Sequence, residues 1–143
     1  MIRPIKIEDK KDWEKLYRSY ADFYKVEMND KVLATVWKWL FDQSHEVSGL
    51  VYEKDSKVVA LAHYRKMPSP IRGKYIGFLD DLFVDPKHRG KKIGKKILSE
   101  LKIISEKNEW GLIRWITRND NERAKNLYDK VSEKTTWDTY ELK

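Results

Sequence analysis

Two adjacent carboxylates, Asp80 and Asp81, interrupt an otherwise apolar stretch, Tyr75–Val84. Removing a carboxylate from water costs several kcal/mol unless it is paired, so such a pair inside a strand needs a reason. Either one Asp lies at a solvated bend or bonds a nearby lysine, or the strand opens here into a polar cleft where a carboxylate works. A carboxylate held in such a cleft can act on a bound group as a general base.

A second cluster comes immediately after. Asp85-Pro86-Lys87-His88-Arg89-Gly90-Lys91-Lys92-Ile93-Gly94-Lys95-Lys96 packs six basic residues and two glycines into the start of a helix. Unpaired N–H groups and the dipole make a helix start attractive to phosphate, whereas cations placed there work against the dipole. That cost suggests a waiting anion. A solvated basic face, or a footprint for nucleic acid, are the other readings. The acidic pair just upstream would repel a phosphate backbone, and Trp110, Trp115 and Trp137, which could stack bases, fall in or beside expected strands where core packing is the default.

Regular elements must hold these groups. Ile2–Lys6 reads as a strand, and Asp9 to Tyr24 as a helix with Trp13, Leu16, Tyr17, Tyr20 and Ala21 at helical period. Asn29 caps a second helix bearing Val32, Leu33, Val36, Trp37, Leu40 and Phe41. Ser48–Glu53 and Val58–Lys66 form a hairpin around Lys54-Asp55-Ser56-Lys57, and Pro68 and Pro70 then break regular structure. Tyr75–Val84 places Phe78, Leu82 and Val84 on one parity and Leu79 and Phe83 on the other, so both faces are buried. Gly90 to Asn108 is a helix with Ile93, Ile97, Leu101 and Ile104 inward. Gly111–Thr117 is a strand, Glu122–Val131 a short helix, and Thr136–Leu142 a last strand. The order β-α-α-β-β-β-α-β-α-β describes one mixed α/β (α+β) domain over residues 1–143, not a doubly wound sheet.

Composition narrows the classes. The chain has no Cys, which removes disulfides, thiolate metal sites and a Cys nucleophile, and fits a cytoplasmic location. No apolar run is long enough to span a membrane, and Met1 to Asp9 lacks an apolar signal core. His45, His63 and His88 are scattered, in no spacing that suits a metal. The net charge of +7 fits an anionic cofactor as well as it fits nucleic acid.

Leu79–Leu98, LDDLFVDPKHRGKKIGKKIL, resembles the cofactor turn of the GNAT superfamily of acetyl-CoA-dependent N-acetyltransferases: strand, V-x-P-x-x-R-G-x-G-x-G/A, helix. Arg89, Gly90 and Gly94 match, while Lys92 stands where the first glycine of the R-x-x-G-x-G core usually stands. Downstream, Asn121, Ala124, Leu127 and Tyr128 fit the superfamily's N-x-x-A-x-x-L-Y pattern. Together with Trp115, Thr117 and Tyr140, the stretch is similar to the histone and polyamine acetyltransferase branch.

The resemblance implies roles. Acetyl-CoA is the co-substrate. The backbone from Arg89 through Gly90, Lys91, Lys92, Ile93 and Gly94 to Lys95 would hold its pyrophosphate; Leu82, Phe83 and Val84 would pair with its pantetheine arm and polarise the thioester carbonyl. Asn121 would bond the cofactor. Asp80 is the candidate base, acting through a water, with Asp81 second; Tyr128 is the candidate acid for the departing thiolate. Taken alone, Tyr128 also reads as a core aromatic on an amphipathic helix. Acceptor contacts fall to Tyr20, Asp22, Tyr24 and Glu27, which suit a cationic amine, although aromatics here equally serve a core. Polyamine, amino acid and protein lysine all remain open as acceptors. A CoA-binding domain without catalysis is a further reading, and homodimers are common among such proteins.

Overall fold

The computed structural model describes residues 1–143. Five strands form one sheet in spatial order β1 (Ile2–Pro4), β2 (Val47–Lys54), β3 (Lys57–Ser69), β4 (Lys74–Val84) and β5 (Ile113–Arg114). The first four are antiparallel neighbours and β4–β5 is the one parallel pair. The helices are α1 (Lys10–Tyr24), α2 (Asp30–Leu40), α3 (Ile93–Lys107) and α4 (Glu122–Val131). The β2–β3 hairpin turns through Asp55 and Ser56, both at positive φ, between the paired Lys54 and Lys57, the backbone twist that a two-residue hairpin favours.

Both faces of the sheet are covered. Ile93, Ile97 and Leu101 of α3 pack on Leu50, Ala60, Ala62 and Leu79. Burying each such aliphatic chain contributes about 1.5–3 kcal/mol. On the opposite face Trp13 and Leu16 of α1, with Leu33 of α2, pack on Val51, Val58, Leu61 and Phe83. Asn29 Oδ1 accepts from the Val32 amide at 2.9 Å and caps α2, but Val32 itself turns outward and only Leu33 of that helix is fully buried.

Within β4 the parity expected from the sequence breaks. Tyr64 pairs with Leu79, yet His63 pairs with Asp81, so Asp80 is an extra, bulged residue. Leu79, Leu82 and Val84 therefore share the α3 face, while Asp81, bonded to Tyr17 of α1, and Phe83 share the other. Gly77 is held against β5: a Cβ there would lie 2.7 Å from Ile113 Cγ1 and from the Trp110 ring.

β1 ends at Pro4 rather than Lys6 and α3 begins at Ile93 rather than Gly90, and three further elements differ from expectation. β3 continues through Pro68 to Ser69, because beyond Arg65 it has no β2 partner and an imino nitrogen costs little on a strand open on one side. The break comes at Pro70, which opens a 3-10 turn over Pro70–Arg72. The strand expected over Gly111–Thr117 pairs only at Ile113 and Arg114. Thr136–Leu142 forms no strand: Trp137, Tyr140 and Leu142 are exposed, and the two-residue β5 offers no ladder long enough to hold them.

Candidate active site

The site is built where β4 and β5 part. They pair at Gly77–Ile113 and Phe78–Arg114 and nowhere further along, so the β5-facing edge of β4 from Leu79 to Val84 has no strand partner. The bulge at Asp80 begins two residues beyond the last pair. An unpaired edge offers N–H and C=O groups to any extended ligand laid along it.

The two carboxylates at the bulge have different surroundings. Asp80 is exposed, with Arg65 Nε 3.0 Å from its Oδ2, and Arg65 in turn stacks on Phe78 with its guanidinium carbon 4.7 Å from the ring centre. Partial desolvation raises the Asp80 carboxyl above the usual range, opposed by Arg65. Asp81 is more enclosed. His63 Nδ1 lies 2.8 Å and the Tyr17 hydroxyl 3.0 Å from the same oxygen, Oδ2. Burial pushes Asp81 up, but hydrogen bonds from His63, Tyr17 and Tyr20 outweigh it and hold the carboxyl below the usual range. Burial, then the Asp81 charge, keep the Tyr17 and Tyr20 phenols protonated far into the alkaline range. Tyr17, Tyr20 and Phe83 surround the carboxylate with rings, Tyr17–Tyr20 and Tyr20–Phe83 each 5.8 Å apart.

The basic turn leads from β4 into α3. Asp85 Oδ1 accepts from the Lys87 amide at 3.0 Å and closes a 3-10 turn, Pro86–His88. Gly90 at φ 80° and Lys92 at φ 61° then swing the chain into the helix. Lys92 thus adopts the left-handed conformation that a glycine would take without strain. The first α-type bond runs from the Lys96 amide to Lys92 O at 3.0 Å, which leaves the amides from Gly90 to Lys95 without acceptors in the protein, whereas the Arg89 amide, expected to join them, donates to Pro86 O.

Like charges are crowded around this turn. Lys54 of the β2–β3 hairpin contacts Lys91 and holds its ammonium below the ordinary lysine range. Arg89 donates from Nε to Val84 O at 3.3 Å and lies 5.4 and 5.5 Å from the Phe23 and Phe83 ring centres; burial and then the charge of Arg123 lower its pKa. Two cation pairs flanking free amides are electrostatically incomplete without an anion.

Across the gap, Tyr128 of α4 packs edge-on against Trp115 at 5.2 Å. Burial, with Tyr24 nearby, pushes its phenol up to about 12, so it stays a donor at neutral pH. Asn121 caps α4 through Oδ1 to the Ala124 amide at 3.3 Å and donates from Nδ2 to the Tyr24 hydroxyl at 3.2 Å. Gly94 sits under α4, where an added Cβ would come 3.3 Å from Leu127 Cδ2. A cavity of about 470 Å³ is lined in part by Trp115, Thr117, Tyr128 and Trp137; it does not reach the acidic pair.

The structure therefore brings Asp80, Asp81 and Tyr20 together at the bulge, and Arg89, Asn121, Tyr24 and Tyr128 around the end of α1. Tyr24 faces α4 rather than the carboxylates. Asp22 and Glu27 are exposed and make none of the site's hydrogen bonds. His63, Arg65, Tyr17, Lys54 and Arg123 adjoin the candidate groups although their spacing in sequence did not nominate them. A lone His directly after the apolar run Val58–Ala62 was the one available signal for His63.

No helix is long and apolar enough to cross a membrane. The family description "Acetyltransferase (GNAT) family" matches residues 13–132. The chain is 27% identical over 139 residues to the D-amino-acid N-acetyltransferase HPA3 of Saccharomyces cerevisiae, covering 94% of this chain and 85% of that one. It is also 27% identical over 129 residues to the uncharacterized N-acetyltransferase YhfO of Bacillus subtilis, covering 90% and 86%. In fold it is similar to the ribosomal-protein-alanine N-acetyltransferase from Brucella melitensis biovar Abortus 2308, with a TM-score of 0.83 at 22% identity over 100% of this chain and 99% of that one. With a parted β4–β5 pair, a basic turn of free amides, and a family match across most of its length, the chain belongs to the GNAT family of N-acetyltransferases.

Proposed function

We propose that the protein transfers the acetyl group of acetyl-CoA to the amine of a small amino acid. The observation that carries this is the charge arrangement at the bulge: an enclosed carboxylate, Asp81, ringed by tyrosines, with the Asp80–Arg65 pair on the adjoining residue. An amino acid presents an ammonium and a carboxylate on neighbouring atoms. Asp81 suits the first, and the guanidinium of Arg65, bound to Asp80 only through Nε, suits the second. A polyamine has nothing for Arg65. The D-amino-acid activity named for the yeast relative supports the same reading, and the histone and polyamine branch has no such support.

The turn residues fit a pyrophosphate: Lys54, Lys91, Arg89 and Arg123 supply charge and the amides from Gly90 onward supply donors. The free edge of Leu82–Val84 fits the pantetheine arm, with one N–H available to a carbonyl oxygen that gains charge. Asp80, whose carboxyl is made more basic by desolvation, takes the proton of the bound ammonium, while Asp81 stays ionised and holds it in place. The freed amine attacks the thioester carbonyl, the carbon–sulfur bond breaks, Tyr128 gives its proton to the sulfur that leaves, and the nitrogen sheds its second proton to solvent, from which the Tyr128 phenol is restored. Positioning on the rigid sheet supplies much of the remaining rate.

The test is an acceptor screen with thiol detection, comparing D- and L-amino acids, lysine peptides and spermidine at equal concentration. Amino acids should be preferred, and the preference should collapse in Arg65→Gln while spermidine turnover does not fall. A wild-type preference for spermidine or peptide lysine would overturn this acceptor assignment.

A further inference from the structure

Asp81 is useful to an ammonium only if it is always ionised and always aimed the same way, and the buried groups behind it show how that is arranged. Trp13 is completely buried in α1, and His63 is 2% exposed on β3. Trp13 Nε1 lies 2.8 Å from His63 Nε2. An indole N–H can only donate, so Nε2 must be the acceptor and carries no hydrogen. The ring hydrogen of the neutral imidazole is then on Nδ1, which lies 2.8 Å from Asp81 Oδ2. Tyr17 donates to the same oxygen at 3.0 Å.

We propose that Trp13 and His63 form a tautomer lock for the acceptor site, in which the indole fixes the imidazole as a permanent donor to one oxygen of Asp81 and so holds the carboxylate ionised and in one orientation toward the substrate ammonium. His63 is a positioning residue: it touches the carboxylate and not the substrate. The inference rests on the proposed amine acceptor.

The chain of bonds has a cost that a merely structural role does not explain. A leucine at position 63 would fill the same interior without needing two partners, and buried polar groups are tolerated only when every hydrogen bond is made. Here both ring nitrogens are used, and both uses point along one line from α1 through β3 to β4. Tyr17 packs edge-on to the imidazole at 4.7 Å and Trp13 at 5.9 Å, so the ring cannot flip without displacing them. The groups facing Asp81 are His63 from β3 and Tyr17 and Tyr20 from α1, with Asp80 next to it carrying Arg65; none of the three facing it competes as an anion.

The experiment has a kinetic and a spectroscopic arm. His63→Leu should raise KM for the acceptor about tenfold or more, the loss expected when a charge-assisted hydrogen bond is removed, with KM for acetyl-CoA nearly unchanged. His63→Asn can present an amide N–H near the position of Nδ1 and should recover most of the acceptor affinity. Trp13→Phe should raise the acceptor KM less than His63→Leu does. Equal damage in His63→Leu and His63→Asn, a wild-type acceptor KM in His63→Leu, or a parallel rise for both substrates would overturn the lock. In the wild-type protein, nitrogen NMR of the imidazole should show hydrogen on Nδ1 and a bare accepting Nε2; the opposite tautomer would overturn it without any variant having to fold. If the wild type acetylates no amine, the acceptor reading fails on its own, and the NMR result still decides whether the lock exists.

Discussion

The side-chain amide of Asn121 donates to the hydroxyl of Tyr24 at 3.2 Å, tying the end of α1 to the first turn of α4 across 97 residues of chain. The same asparagine caps α4 with its other amide atom. Tyr24→Phe removes the tie and keeps the ring. It should cost about 1 kcal/mol, the net worth of a typical hydrogen bond. Asn121→Ala loses the cap as well and should cost about 2 kcal/mol. Chemical denaturation of the two single variants and the double variant checks this: the double variant should cost no more than Asn121→Ala alone.

Burial pushes the Tyr128 phenol up to about 12, so it holds its proton at neutral pH. Tyr128→Phe should lower kcat about a hundredfold, the lower end of what a positioned acid contributes, with acetyl-CoA affinity retained because the ring still packs on Trp115. Steady-state kinetics with a binding titration read both quantities.

Asp80 has a carboxyl raised by desolvation and restrained by Arg65. A base must be deprotonated, so activity falls as pH drops through its pKa, and the raised value moves that acid limb upward from where an ordinary aspartate would put it. Arg65→Gln removes the restraint and should move the limb higher still. The pH profile of kcat/KM for acetylation of spermidine, which does not depend on Arg65 for binding, measures the displacement. A limb that stays where it is, or moves down, assigns the base elsewhere.

Asp9 is buried and held by Arg3 through two bonds of 2.8 and 2.9 Å, with a third contact from the Lys6 amide at 2.7 Å. The Arg3 bond first, against the penalty of burial, holds its carboxyl below the ordinary value. A lowered pKa in the folded state means that stability is present above the unfolded value, near 3.8, and is lost as pH falls through the folded one. Asp9→Asn should cost about 3 kcal/mol at neutral pH, and the gap between variant and wild type should shrink below pH 4. Thermal melts from pH 3 to 7 show this directly.

Lys92 holds a left-handed backbone at φ 61° that costs a side chain about 1–2 kcal/mol. Lys92→Gly should therefore raise stability by about 0.5–1 kcal/mol, part of the relief being returned as chain entropy. It should also weaken acetyl-CoA binding modestly through the lost charge. Melts and a titration separate the two effects.

Much of this was readable from residue pattern. Helical periods in Lys10–Tyr24 and Ile93–Lys107 reflect burial against a sheet, and burial is what the period encodes. The basic turn was legible because glycine and lysine at a helix start are locally costly. The bulge was not: which of Asp80 and Asp81 is the extra residue depends on pairing with β3, sixteen or more residues away. His63, Arg65, Lys54 and Arg123 were missed for the same reason, since each acquires its meaning from a partner on another element. The terminal segment was misread because alternation signals a face to bury and cannot report whether a neighbouring strand exists to receive it.

The bulge at Asp80 has a bearing on how such a protein can change. The ladder on either side of position 80 would close into a regular strand if that residue were lost, with Leu79, Leu82 and Val84 still facing α3 and Asp81 and Phe83 still facing α1. The scaffold and the proposed chemistry are thus separable at a single codon: one residue that architecture does not require carries the group proposed to accept the proton, and the fold could discard or reacquire it without relearning how to pack.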